Sequence, residues 1–321
     1  MCLVTIGLCV KNSEKTIRET LDSIVNQIFP RSDIEIIVVD GGSKDNTLEI
    51  IRDVLSMRNV PSIKIIRQTN GLGAQRQAVV DEATSQYIAW VDGDVILSKN
   101  FLEEQSHFLK KNTDVGLVGG KNEYIESSKT LVSKIQHLLF GGVETVHLGA
   151  SLSRTKALKD AGGFDIRMTG ANEDTDIKIR LIMAGWKVTT NPKAIFYHNE
   201  PRRSLRELYT KYAWYGYGSH FMNHKYEAFI KIPYELPIFY FGWGVKMAFK
   251  VYKQNRRKIS FLIPMHCVLQ SIFSCIGFLR GHLDGYGHSI KKHEFGKDVV
   301  MSVKRRLQME HHLSSVTSAE K

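Results

Sequence analysis

Apolar residues along the first hundred positions alternate between unbroken β-forming runs and stretches with helical spacing. Residues 3–10, LVTIGLCV, form a buried strand, and a helix with apolar positions Ile17, Leu21, Ile24 and Val25 follows Lys11-Asn12-Ser13. Ser13 stands where a helix cap belongs. Ile34 to Val39 repeats the pattern, stops at Asp40-Gly41-Gly42-Ser43, and leads into a helix through about Met57. Ile63 to Ile66 is a shorter strand, followed by Asn70-Gly71-Leu72-Gly73 and a helix through about Ala83. Tyr87-Ile88-Ala89-Trp90-Val91 is the fourth strand and ends in Asp92-Gly93-Asp94. Four strand–helix units in about 100 residues predict an α/β fold with a Rossmann-like, mostly parallel sheet flanked by helices. Each strand's carboxyl end carries polar or glycine residues, and ligands of open α/β sheets bind outside those ends.

Beyond residue 115 the pattern loosens: Val115 to Gly120, a helix near 130–140, and Thr145 to Ser151. Ala161-Gly162-Gly163-Phe164-Asp165 precedes a loop to Gly170, and Asn172-Glu173-Asp174 opens an amphipathic helix stopped by Gly185. Acids in a first helical turn are favoured by the helix dipole, so capping alone accounts for Glu173 and Asp174 at this level. A last short strand ends at His198.

Composition, with 43% hydrophobic and 24% charged residues, is ordinary for a globular protein of 321 residues. Charge distribution adds more. Residues 1–199 carry 24 Lys+Arg against 24 Asp+Glu, whereas residues 200–321 carry 20 against 9, the whole of the +11 excess. A neutral front and basic rear predict a catalytic or binding domain followed by a segment that meets an anionic surface. Cys2, Cys9, Cys267 and Cys275 form no CxxC pair and have no histidines at zinc spacing beside them, which points away from a thiolate metal site or a disulfide framework. The first residues run straight into a strand with no basic leader, so the sequence predicts no secretory signal.

Asp92-Gly93-Asp94 places two hard oxygen donors at a strand's carboxyl end, a donor set suited to a divalent cation that also holds phosphate oxygens. A solvated turn has the same three-residue signature. Four motifs in order narrow the choice: TIGLCVKN, EIIVVDGGSKDNT, YIAWVDGDVIL, and GGFD followed by NEDTDIKIRLIMAGWKV. Together they resemble the family 2 inverting glycosyltransferases, which have the GT-A fold and use nucleotide-sugar donors. The resemblance spans roughly residues 1–225.

That resemblance implies roles. Asp40 looks like the acid that meets the nucleotide base, and Arg76 like the arginine near the nucleotide. Cys9, Lys11, Asn12, Gly71 and Gly93 are implied on the nucleotide-sugar side. Asp92 is similar to the ribose- and metal-facing acid, Asp94 to the direct ligand of Mg2+ or Mn2+, and His198 to a late metal or pyrophosphate ligand. A histidine packed at a strand end is the competing reading of His198. Asp174 matches the catalytic base, with Gly163, Phe164, Asn172 and Glu173 on the acceptor side. Inversion needs one base to deprotonate the acceptor hydroxyl and positive charge on the departing diphosphate; a glycosidase would need two carboxyls about the bond. Many relatives carry proline and tyrosine where this chain has Cys9 and Lys11, which alters packing around base or ribose and gives Lys11 reach toward a phosphate. The QxxRW motif of processive synthases is missing, Glu200-Pro201-Arg202-Arg203 standing nearest, so single-sugar transfer is expected. The alternatives are a nucleotidyltransferase and a non-catalytic nucleotide-sugar binding module. The first lacks its glycine-rich phosphate loop, and the second needs no base.

Residues 202–225 mix bases with Tyr209, Tyr212, Trp214, Tyr215 and Tyr217, a composition that suits nucleic acid or a membrane interface. Residues 261–279 decide between them: 19 positions without a formal charge, long enough to cross a hydrocarbon core. The expected partners are therefore a nucleotide-diphosphate sugar, a lipid-linked or glycan acceptor and an anionic membrane surface, with no nucleic acid. The stretch from Ile232 to Val251 is apolar but interrupted by Pro233, Glu235 and Pro237. Residues 253–258, KQNRRK, lie between the two and would face outward in a hairpin from a cytoplasmic domain, against the positive-inside rule. In-plane or re-entrant helices keep them at the cytoplasmic face. A buried helix pair in a soluble domain is the competing architecture. The expected organisation is residues 1–225 as the catalytic domain, 226–285 as an apolar helical segment at the cell membrane, and 286–321 as a basic polar tail.

Overall fold

In the computed structural model the four runs become parallel neighbours: β1 (Val4–Val10), β2 (Ile34–Asp40), β3 (Ile63–Arg67) and β4 (Tyr87–Asp92), ordered β3-β2-β1-β4. The structure describes residues 3–56, 62–123, 130–140, 146–198, 204–227, 236–303 and 305. Cys2, Met57, Thr145, residues 200–203, Ile232 and the end of the tail lie outside them. Every residue of β1 is buried, as its unbroken apolar run requires, whereas β3 sits at the sheet edge with three of its five positions exposed.

Past β4 the sheet changes direction. β7 (Ala150–Arg154) pairs antiparallel with β4 and with β6 (Val115–Glu123), and β6 runs parallel to β8 (Lys187–His198). β5 (Val95–Leu97) closes the far edge, antiparallel to β8, and makes eight strands in one mixed sheet. β5 has only three residues, and no periodicity marks so short a strand. β8 is one strand of 12 residues rather than a late short one. Its register against β6 jumps from Gly120–Asn191 to Lys121–Ile195, so the bulge absorbs Pro192 and the sequence reads as two fragments.

Helices cover both faces. α1 (Ile17–Val25), α2 (Thr47–Ser56) and α4 (Phe101–Lys111) bury Leu21, Ile51 and Phe101 against one side. α3 (Leu72–Glu82), α6 (Thr155–Asp160) and α7 (Glu173–Met183) bury Val79, Leu158 and Ile177 against the other. Ser13 does not cap α1 with its side chain; its carbonyl accepts from Thr16 and Ile17 N–H, while the Thr16 hydroxyl donates to the Gly93 carbonyl.

The rear of the chain is helical. α8 (Leu205–Lys225) starts at a complete capping box between Ser204 and Glu207. α9 (Pro237–Asn255) begins at its proline, and α10 (Ile263–Leu283) packs along both. α8 and α10 approach backbone to backbone: a Cβ on Gly216 would collide with the Ser274 carbonyl, and one on Gly277 with the Ala213 carbonyl. α5 (Leu131–Phe140) joins α9 and α10 in a small separate core around Leu139, Val251 and Cys267. Residues 286–303, the described part of the expected basic polar tail, pack back on the domain. Phe295 bridges Tyr226, and Ile290, Val300 and Val303 are buried in the core under α3 and α7. Their apolar positions are too widely spaced among bases to register as an element.

Candidate active site

The four carboxyl ends form one rim, and Arg76 ties it together. Arg76 rises from the first turns of α3, 3% exposed, with its guanidinium over the Trp90 ring at 5.4 Å. Its Nη2 donates to Asp92 Oδ1 at 3.0 Å, and its Nε donates to Glu173 Oε1 at 3.1 Å. One buried cation thus joins the end of β4 to the start of α7. Burial of Glu173 pushes its carboxyl up to about 7 against the pull of Arg76, with Asp174 and Asp92 adding repulsion.

Asp174 is the neighbouring acid and differs in setting. Its side chain is 33% exposed, and Lys178 one turn on donates to Oδ2 at 2.8 Å. Burial raises its pKa, but the Lys178 charge and hydrogen bond, with Arg76, hold the carboxyl below its ordinary range. Asp174 is therefore an ionised, accessible carboxylate at neutral pH, and Glu173 an inaccessible one.

Asp92 sits in a cradle made by Gly149. Asp92 N–H donates to the Gly149 carbonyl at 2.9 Å, and a Cβ at 149 would collide with the Asp92 carboxylate. Asp94 follows at a half-buried position, and the β5–β8 register sets its neighbour Val95 opposite His198. The His147 and His198 rings lie 5.7 Å apart. Burial, together with the charges of His198 and Lys178, pushes His147 down to about 4, so its imidazole is neutral at physiological pH. Asp92 and Asp94 offer hard oxygens with one Asp92 oxygen engaged by Arg76, a donor set that fits a divalent cation shared with phosphate.

The remaining sequence-expected positions fall into place around this core. Asp40 is 2% exposed and accepts from Gly42 and Ser43 N–H at 3.1 and 3.0 Å, so it shapes the β2–α2 turn. Asn12, left-handed at φ 52°, accepts from Lys44 N–H at 2.9 Å and donates its own N–H to Ser43 Oγ. Lys11 beside it is exposed, its stem against Gly41. Cys9 faces Asp92 across the β1–β4 ladder, and burial pushes its thiol up to about 12, so it stays neutral. Gly93 packs on Ser13.

Gly71, at φ 97°, brings the start of α3 against Thr169, and Gly73 N–H donates to the Met168 carbonyl at 3.1 Å. The GGFD loop therefore touches the helix that carries Arg76. Gly163 has φ 70° and abuts Gln77, whose Oε1 accepts the Phe164 N–H. Phe164 is 4% exposed and meets Trp90 edge-on at 5.2 Å, so it buttresses the rim from below and offers no surface to an acceptor. Asn172, at φ 77°, opens α7 and donates to Ser219 Oγ of α8 at 3.3 Å.

A charge network without a distinctive sequence signature joins the GGFD loop, α7 and the end of α8. Lys225 at the end of α8 meets Asp165 at 2.7 Å and Asp176 at 2.6 Å, and Asp176 also holds Arg180 and accepts from the Tyr226 hydroxyl. The only hint was the acid–base alternation within α7, which reads equally well as a solvated face.

Comparison with known proteins decides the class. The family model "Glycosyl transferase family 2" matches residues 5–165, and "Glycosyl transferase family group 2" matches 87–280. The chain belongs to glycosyl transferase family 2. The chain is 25% identical over 206 residues, 60% of its length, to a poly-beta-1,6-N-acetyl-D-glucosamine synthase of Staphylococcus epidermidis, covering 48% of that protein. It is 37% identical over 110 residues, 34% of its length, to a poly(ribitol-phosphate) beta-glucosyltransferase of Bacillus spizizenii, covering 17% of it. The chain thus spans about half the length, or less, of these curated relatives. Its fold is that of the mannosyltransferase PcManGT from Pyrobaculum calidifontis, solved with GDP-Man and Mn2+, at TM-score 0.60, 16% identity and 88% and 87% coverage of the two chains. Staphylococcus aureus TarS shares it at TM-score 0.51 and 18% identity, with 89% of this chain and 55% of that one covered. The rim of the sheet, with its two-acid turn, is the candidate site.

Proposed function

We propose that this glycosyltransferase moves a single sugar, with inversion, from a nucleotide-diphosphate sugar to the hydroxyl of a lipid-linked or surface-glycan acceptor at the cytoplasmic face of the cell membrane. The observation that carries this reading is the contrast between Glu173 and Asp174. Glu173 is locked on buried Arg76, so of the two acids that open α7 only Asp174 is accessible. With Asp92 and Asp94 assigned to the cation, one carboxylate on α7 suits a base that takes the acceptor proton during in-line displacement, whereas a double displacement needs a presented nucleophile as well. Nucleotide-sugar use is supported by the PcManGT complex with GDP-Man, and a divalent cation by the Mn2+ in it.

Asp94 and Asp92 would hold Mg2+ or Mn2+, with His198 beside them; such an ion, when bound, offsets the charge of the departing diphosphate. Arg76 fixes the orientation of the Asp92 carboxylate. Asp40 orders the turn over which the base would lie, and exposed Lys11 reaches toward a phosphate. Asp174 Oδ1 or Oδ2 accepts the acceptor hydroxyl's proton as that oxygen attacks the anomeric carbon and the nucleoside diphosphate leaves from the opposite face.

Membrane attachment is supported by the segment 258–283, whose mean hydropathy reaches 1.8 with only 39% of its most apolar window buried. Ile238, Phe241, Trp243, Met265 and Leu283 all face outward from α9 and α10. Calorimetry with UDP-, GDP- and dTDP-sugars and Mn2+ or Mg2+, on wild type and Asp94→Ala, tests the proposal. Metal-dependent binding of one donor, lost in the variant, is the expected result. A folded protein that binds no donor would overturn it.

A further inference from the structure

We propose that His220, His224 and His288 form a second metal site, separate from the carboxylate rim, for a divalent transition-metal ion of the Zn2+ type, which clasps α8 to the chain leaving α10.

His220 and His224 stand one turn apart on α8 and therefore share a face. His288 reaches them from the loop after α10, and one ring nitrogen from each of the three lies within 4.8 Å of the others. Tetrahedral zinc with nitrogen ligands at about 2.0–2.1 Å puts those nitrogens roughly 3.3 Å apart, a contraction that side-chain torsions supply. His282, at the end of α10, borders the group with its ring 5.0 Å from His288 and 5.5 Å from His220. It is placed to complete the set or to pack over it.

A second observation points to a ligand. His220 is 2% exposed, yet neither of its ring nitrogens has a hydrogen-bond partner. A neutral imidazole left so pays the desolvation of one donor and one acceptor, about 1–3 kcal/mol for each group. Metal coordination satisfies one of them outright. His224 is already oriented: its Nδ1 lies 3.3 Å from the His220 carbonyl, which can only accept, so Nδ1 carries the proton and Nε2 is the ligand atom. His288 is exposed and leaves an entry path from solvent.

Three imidazoles select a different ion from two carboxylates. Nitrogen donors favour Zn2+, Cu2+, Ni2+ or Co2+ over Mg2+ and Mn2+. The location gives the site a purpose. His293 N–H donates to the His224 carbonyl and Phe295 N–H to the Lys225 carbonyl, so the same loop that carries His288 flanks the Lys225–Asp165 pair. A metal here fastens the apolar helix α10 to the helix that supports the acceptor side.

The test uses the full chain without an affinity tag, dialysed against a weak chelator and then exposed to Zn2+ or Co2+ alone. Wild type, His288→Ala, His224→Ala and Asp94→Ala are compared for bound metal, visible Co2+ absorption and melting temperature. The expected result is one retained equivalent with the intense absorption of four-coordinate Co2+, and a rise on the order of 5 °C at a hundredfold excess over Kd. His288→Ala, an exposed substitution, removes it, whereas Asp94→Ala leaves it intact. Equal metal content in wild type and both histidine variants, or loss in Asp94→Ala alone, would overturn the proposal.

Discussion

Arg76 and Glu173 are 97 positions apart in the chain, yet Arg76 Nε donates to Glu173 Oε1 at 3.1 Å with both side chains about 95% buried or more. The pair joins the nucleotide side of the site to the helix that carries the candidate base. Removing the cation leaves Glu173 buried without its partner, a change that costs about 3–5 kcal/mol. Arg76→Ala should lower the melting temperature by on the order of 10 °C. Arg76→Lys, which cannot serve both acids through one planar fork, should fall between. Thermal melts decide it, and an unchanged Arg76→Ala would remove the pair from any structural role.

Asp174 is separable from its neighbour. Asp174→Asn removes the proton acceptor but leaves the α7 turn and the Arg76 bridge in place. Its kcat should fall by about 100- to 10,000-fold with donor affinity within a few-fold of wild type. The inverse outcome, with donor affinity lost and turnover retained, would move the base elsewhere. Anomeric configuration of the product, read by NMR, checks inversion in the same preparation.

Gly149 constrains the metal-side acid through shape alone. Gly149→Ala places a methyl where the Asp92 carboxylate lies, so that acid must rotate away from Arg76 or from the donor. Donor Kd should rise by about tenfold or more, the equivalent of one lost charge-assisted hydrogen bond. Circular dichroism should stay unchanged. Wild-type donor affinity in Gly149→Ala would show that Asp92 does not meet the donor.

The half of the sheet built from long apolar runs was legible in the sequence, because burial on both faces leaves no polar alternation to confuse. Asp92 and Asp94 were legible for the same reason, standing where such a run stops. What the sequence hid depends on pairing between distant segments. β5 exists because β8 lies beside it, and the tail packs because Tyr226 and the core under α7 accept it. Glu173, expected on the acceptor side, turns inward to Arg76, a partner no local spacing could name. Phe164 likewise points into Trp90. The histidine cluster leaves no mark in local spacing, because His288 comes from the loop after α10 while His220 and His224 lie on α8.

Acid stability should follow Asp165. Burial raises its pKa, but hydrogen bonds from Arg167 and Lys225 outweigh this and hold it well below the ordinary 3.8. Since the folded-state value is depressed, the stability it contributes is present above about 4 and is lost as pH falls below that. Asp165→Asn should melt lower than wild type at pH 7, by an amount corresponding to about 1–3 kcal/mol, and the difference should narrow steadily as pH falls below 4. A difference that stays constant from pH 7 to 3 would mean that the loss is one of packing rather than charge.

Membrane attachment gives the last expectation, and it separates two geometries. α9 exposes Phe239, Phe241 and Trp243 at its start, and Lys253, Arg256 and Arg257 follow at its end. If the helices lie in the interface, both features act together: apolar side chains enter the acyl boundary while the bases meet anionic headgroups. Each base near such a surface is worth about 1 kcal/mol, so reversing Lys253, Arg256 and Arg257 to Glu should weaken binding to phosphatidylserine vesicles by at least roughly 100-fold. Salt should weaken the wild type in the same direction. Phe239→Ser with Phe241→Ser and Trp243→Ser should release the protein even at low salt. If α10 instead spans the bilayer, flotation persists through high salt and alkaline washing in all three proteins. Vesicle flotation thus reads depth of insertion directly, and a protein that floats with no vesicle composition would detach the catalytic site from the membrane altogether.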